Sequence, residues 1–214
     1  MTTHFTIALT ALYLVALLWC LLTAPWRDLA SSTRQHGWMG LTVALLLAWT
    51  MRAPIGNGMD LHLAGASLAA LMFGARLAAV SLAVVLAVLA FTGQIAPEGL
   101  ALQGIAWALL PALLTVAIQR LVQARLPRNV FVYIFVSGFA GTLAANVLAT
   151  LAYMGVAWLF GASPQAAPSS DYLSYRLLLC WGESMLTGML VAIFVAYRPQ
   201  WMTTFRDEVY LARR

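Results

Sequence analysis

The sequence predicts an all-α, polytopic membrane helix bundle of about seven spans, some short or tilted. It places the N-terminus outside and the C-terminus inside. Three observations lead there. The chain is 63% hydrophobic and only 9% charged, with a mean hydropathy of +0.86. A soluble domain carries about 25% charged residues, so most of this surface must face lipid. The apolar runs are continuous rather than alternating, which excludes a β-barrel, and 214 residues suffice for about seven spans. The basic residues are all arginines, and they alternate in density from one connection to the next.

Span 1 covers Phe5–Thr23 and ends before Pro25; lacking a basic leader and a small-residue cleavage site, it reads as a retained span. The polar stretch Trp26–Gly37 follows. Span 2, Trp38–Met51, is short. Pro54, Gly56 and Gly58 break the chain, and Asp60 then stands where an N-cap or first-turn acid would stand. Span 3 covers Leu61–Gly74, Arg76 punctuates it, and span 4 runs to Gly93. After the loop Gln94–Leu102, span 5 covers Gln103–Val122 with Pro111 in its middle, a kink that neighbours must re-satisfy. The run Val130–Gly161 is long for one straight span. Gly138, Gly141, Thr142 and Ala145 there are spaced for close helix packing, and Asn146 needs a buried partner. The loop Ala162–Asp171 precedes span 7, Tyr172–Tyr197. Residues 1–214 form a single transmembrane domain, with 198–214 as a cytoplasmic tail.

Seven spans with the N-terminus outside put Arg27, Arg34, Arg76, Arg120, Arg125, Arg128, Arg198, Arg206, Arg213 and Arg214 on one side. Only Arg52 falls in an outer connection, and Arg176 lies within span 7. That is a strong positive-inside bias. Topology accounts for these arginines, and no basic patch interleaved with aromatics points to nucleic acid. Cys20 and Cys180 lie inside apolar runs and read as small buried side chains.

The same topology gathers His4, Asp60, His62 and Glu98 at the outer face. An aspartate and an imidazole at a membrane boundary bind a cation, carry protons or cap a helix. His62 with Asp60 two residues away is the first candidate metal pair, and His4 lies on the same side. Removal of Met1 would leave Thr2-Thr3-His4, whose amine, amides and imidazole suit square-planar nickel or copper. In span 7, Arg176, Cys180, Glu183 and Ser184 share one helix face. A charge there must face the bundle interior, either in a structural pair or helix clamp, or in a site.

The stretches G-M-D-L-H-L-A-G-A-S-L-A-A-L-M-F-G from Gly58, G-L-A-L-Q-G-I-A-W-A-L-L-P from Gly99 and W-G-E-S-M-L-T-G-M-L from Trp181 resemble those of the CbiM/NikM-type family. These are the substrate-capture (permease) subunits of energy-coupling factor transporters, and the likeness is to the proteobacterial predicted-permease branch. The resemblance implies a metal bound near the outer face by the N-terminal segment and a histidine that His62 matches. The family begins Met-His where this chain begins Met-Thr-Thr-His, so His4 would serve only through a processed terminus. Gln103 would stand in for the family's Asn-containing loop.

The expected function is therefore capture of a divalent transition-metal ion at the outer face of a bacterial inner (cytoplasmic) membrane. Nickel or cobalt is favoured, with copper and zinc as alternatives. His62, Asp60 and His4 are the expected ligands, and Gln103, Glu183 and Arg176 form a second shell or helix clamp. Expected partners are membrane lipid, energy-coupling transmembrane and ATPase subunits, and a further copy of the chain. The chain itself has no G-x-x-x-x-G-K-[ST] motif. The alternative is a non-transporting accessory or assembly subunit that binds a metal or a partner complex. H-E-x-x-H, G-x-S-x-G and suitably paired acids are absent, which argues against an enzyme.

Overall fold

A computed structural model describes residues 3–55, 59–159 and 170–205, without the side chains of Thr3, Pro54, Ile55, Met59, Asp60 and Ser170. Its long helices are α1 (Thr3–Thr23), α2 (Ser32–Thr50), α3 (Ala66–Phe91), α4 (Pro97–Arg125), α5 (Val130–Leu159) and α6 (Ser170–Tyr197). A small antiparallel ribbon, β1 (Ala53–Ile55) and β2 (Met59–Leu61), pairs Pro54 with Asp60. Among the described residues, 5 helices are long and apolar enough to cross a membrane: α1, α3, α4, α5 and α6. α2 is diluted by Arg34, Gln35 and His36 in its first turns; it starts six residues earlier than the apolar run suggests.

α3 is the centre of the bundle and α1 its edge. Ile7, Leu12, Leu14, Val15, Leu18 and Leu22 of α1 are exposed, the face expected against lipid tails. α3 presents Ala69, Ala70, Ala78, Val85 and Leu89 to α1, α2 and α4 in one core. Its small side chains let backbones approach closely, which is what drives helix association where lipid is as apolar as leucine. Gly138 of α5 and Gly188 of α6 do the same: a Cβ on Gly138 would sit 3.6 Å from the Gly188 Cα.

The expected spans 3 and 4 are one element interrupted at Gly74, whose φ 81°, ψ 160° is foreign to a helix. The chain turns back there. The limb 66–73 begins level with Glu183, mid-way along α6, and ends at Thr203 and Thr204, beyond the end of α6. Gly74 lies beside Val116–Arg120 of α4. Residues 92–96, joining α3 to α4, reach at most about 18 Å, while Pro97 is about 30 Å up the helix from Ala117. The limb 75–91 must therefore climb back along α4. Limb 66–73 is only about 12 Å long, too short to cross a membrane, and every one of its residues is buried.

Both ends of this half-helix need partners, because a helix leaves its first N–H and last C=O groups unpaired. At its lower end the Thr203 N–H donates to the Met72 carbonyl at 2.7 Å and the Thr204 hydroxyl to Leu71 at 2.6 Å. The stretch expected as a cytoplasmic tail packs, through Phe205, into the core: Met202 and Phe205 are buried. Residues 206–214 lie outside the described residues, as do Gly161 and most of the loop before α6. α4 begins at Pro97 rather than Gln103. Ahead of Pro111 it widens into a π-helical stretch over Gly104–Leu109, which absorbs the missing N–H and the ring clash.

Candidate metal site

Residues 62–65, outside any regular element, lead from the ribbon into α3, so the helix begins at Ala66 and not near Leu61. Asp60 is consequently not the helix-capping acid: it sits in β2, five residues short of Gly65, the residue at the cap. The acid at that helix start is Glu183, delivered by α6 from the far end of the sequence. Its two carboxylate oxygens accept the N–H groups of Gly65 at 2.8 Å and Ala64 at 3.2 Å. A helix N-terminus favours negative charge, which is why an acid is tolerated at this depth. Gly65 has φ 64°, and a Cβ on it would run into Leu45, so glycine is required twice over.

Arg176 holds the same segment two turns away. It donates from Nη1 to the His62 carbonyl at 3.1 Å, and its guanidinium lies 4.1 Å above the Trp107 ring, a cation–π contact. Arg176, Cys180, Glu183 and Ser184 are all buried, as their shared helix face requires. Arg176 and Glu183 do not pair with each other. Together they clamp residues 62–65, so their hydrogen bonds join α6 to a connection, while the Arg176 stack on Trp107 joins it to α4.

His62 is 6% exposed. Its ring packs on Trp49 with centroids 4.3 Å apart, and Trp49 donates to the Ala64 carbonyl at 2.9 Å. Neither imidazole nitrogen has a hydrogen-bond partner among the described residues. Burial, reinforced by the Arg176 and Arg52 guanidiniums, pushes its pKa well below the usual histidine range. A neutral imidazole with a free nitrogen is what a transition-metal ion takes as ligand. Buried polar groups in proteins are almost always paired, so this one requires an explanation.

The other expected residues are less converged. The Asp60 side chain lies outside the described residues. His4 is exposed on the first turn of α1. Gln103 is half-buried one turn from Trp107 on the same face of α4, and its Oε1 is buried without a described partner. α1 approaches this end of α4 closely enough that a Cβ on Gly104 would meet the Tyr13 ring. Among the described residues no group of three or more His, Cys, Asp or Glu side chains converges. Trp49, Trp107 and Gly65 are the residues the sequence reading missed. A tryptophan near a span end reads as an interface anchor, and Gly65 as one more small packing residue. Deeper in, Asn146 finds its partner: it accepts from Ser67 at 3.4 Å, and Thr115 donates to Ser67 at 2.8 Å.

Comparison with known proteins adds to this geometry. The family model described as CbiM, cobalt uptake substrate-specific transmembrane region, matches residues 2–201. No curated protein sequence matches. A crystal structure of a truncated transition metal transporter superposes with a TM-score of 0.70 at 19% identity, covering 92% of this chain and 96% of that one. A second, of a transition metal transporter, gives 0.67 at 19% identity, covering 92% and 90%. At such identity these two show the shared fold.

Proposed function

Because the chain belongs to the CbiM family of cobalt uptake substrate-specific transmembrane regions, a family of transporter components and not of enzymes, we propose that it captures a divalent transition-metal ion. It does so as the substrate-binding subunit of an energy-coupling-factor-type transporter, at the outer face of a bacterial inner membrane. Nickel or cobalt is the favoured cargo, because imidazole donors suit these ions better than magnesium. The observation that carries the reading is His62: buried, backed by Trp49, with both nitrogens unpartnered among the described residues. Asp60 and His4 complete the ligand set in this proposal, while Arg176, Glu183 and Gln103 hold the segment and its surroundings.

Limb 66–73 counts as a third, partial pass, since the chain reverses at Gly74; an odd total of seven puts the termini on opposite sides. Arg34, Arg76, Arg120 and Arg128 lie at one end of the bundle, around the cleft at Gly74 and residues 199–205. Arg52 and Arg176 lie at the other. This supports an outer N-terminus and an inner C-terminus. Energy-coupling transmembrane and ATPase subunits are the partners such a capture subunit requires.

The test is elemental mass spectrometry on protein purified in mild detergent, beside His62→Ala and His4→Ala. Near-stoichiometric nickel or cobalt that disappears in His62→Ala supports capture and names the ion. No metal after supplementation overturns it. The second reading, a non-transporting accessory or assembly subunit, draws on the lack of a converged ligand group among the described residues. It would then lead, with co-purification of a partner complex as its mark.

A further inference from the structure

A cleft of about 820 Å³ opens at the arginine-rich end of the bundle, where α1, α4 and the turn at Gly74 meet. We propose that it seats an anionic phospholipid, with the headgroup phosphate on Arg76, Arg120 and Arg128 and an acyl chain along Trp19, Leu113 and Val116. Arg76 is fixed in place: it donates to the Thr23 carbonyl at 2.7 Å and lies 5.0 Å above the Trp19 ring. Arg120 and Arg128 are exposed and have no partner among the described residues. Among the described residues one acid, Asp28, lines the cleft against these three guanidiniums, so this lining carries net positive charge.

The wall distinguishes a lipid from a free anion. Trp19 is 51% and Leu113 48% exposed, on helix faces that lipid tails must cover. The cleft is therefore continuous with the bilayer and offers a ligand both an anionic and an apolar half. Basic pockets between membrane helices on the cytoplasmic side are where such headgroups bind. Arginine adds a bidentate fork for phosphate oxygens. None of this depends on the metal proposal.

The full-length chain, purified in a neutral detergent, would be incubated with phosphatidylglycerol or phosphatidylcholine of identical acyl chains and read by native mass spectrometry. Arg120→Gln/Arg128→Gln should lower phosphatidylglycerol retention by roughly twenty-five-fold, at about five-fold per arginine. Arg125→Gln, on the same helix but outside the cleft, should retain it unchanged. Phosphatidylcholine should bind weakly throughout. Arg128→Gln alone, at an exposed loop position, keeps the test valid if the double variant does not purify, and should lose about five-fold. Equal retention in wild type and variants overturns the site, as does equal loss in Arg125→Gln. Phosphatidylcholine held as tightly as phosphatidylglycerol, or full displacement by millimolar inorganic phosphate, overturns the lipid assignment.

Discussion

Glu183 stands in the middle of a membrane helix, where an acid is tolerated only if its oxygens are met. Its partners are the N–H groups of Ala64 and Gly65, so its removal orphans two buried donors at once. Glu183→Ala should lower stability by on the order of 3 kcal/mol, read as thermal unfolding in detergent. Metal retention should fall with it, since His62 rides on the clamped segment. His62→Ala should behave differently, losing metal completely while lowering the unfolding temperature less than Glu183→Ala, since it removes ring packing but orphans no described hydrogen-bond partner. His62 also sets a pH dependence. Its folded pKa lies below the ordinary value of 6.5, so the folded state binds fewer protons than the unfolded one. The stability it contributes is complete above that value and declines as pH falls below it. A melting series from pH 7.5 to 5 should show this decline, and His62→Ala should reduce it.

At the scale of elements, Gly74 shows what a sequence hides. A glycine inside an apolar run reads as a packing residue, and nothing in the letters reveals φ 81°, ψ 160°. Gly74→Ala meets no neighbour within 4 Å, so its cost is backbone strain alone, about 1–3 kcal/mol. Gly40→Ala, equally unobstructed but within α2, should be neutral or slightly stabilising. Differential scanning fluorimetry of the two variants separates the cases. Spacing did reveal that Arg176, Cys180, Glu183 and Ser184 face inward, because helix periodicity is a local property. The hydrogen-bond partners of Arg176 and Glu183 were not legible: they are backbone groups more than a hundred positions earlier, brought close only by packing. Asp60 failed as a capping acid for the same reason, since the ribbon pairing that delays α3 to Ala66 is set by β1.

For the whole molecule, composition alone announced a membrane bundle, and the arginine bias predicts an orientation that labelling can test. Cys20 and Cys180 are buried, so an introduced cysteine dominates labelling. Ala96→Cys should react with an impermeant maleimide in intact spheroplasts, and Leu126→Cys only after permeabilisation. The reverse pattern would invert the topology. The number of passes was harder to read, because the half-helix 66–73 has the hydropathy of a span and less than half its length.

That half-helix has a consequence for how the protein is made. A ribosome delivers residues 66–73 early, as a segment too short to hold a bilayer by itself. Its upper end waits for Glu183 and its lower end for Thr203 and Thr204, all encoded in the last helix and the residues just after it. Until those emerge, the backbone beside His62 lacks its Arg176 and Glu183 contacts and keeps only the one from Trp49. Synthesis therefore finishes the His62 end of the protein last, and on the proposed function a nascent chain arrested before α6 should be inserted, helical and unable to retain a metal ion.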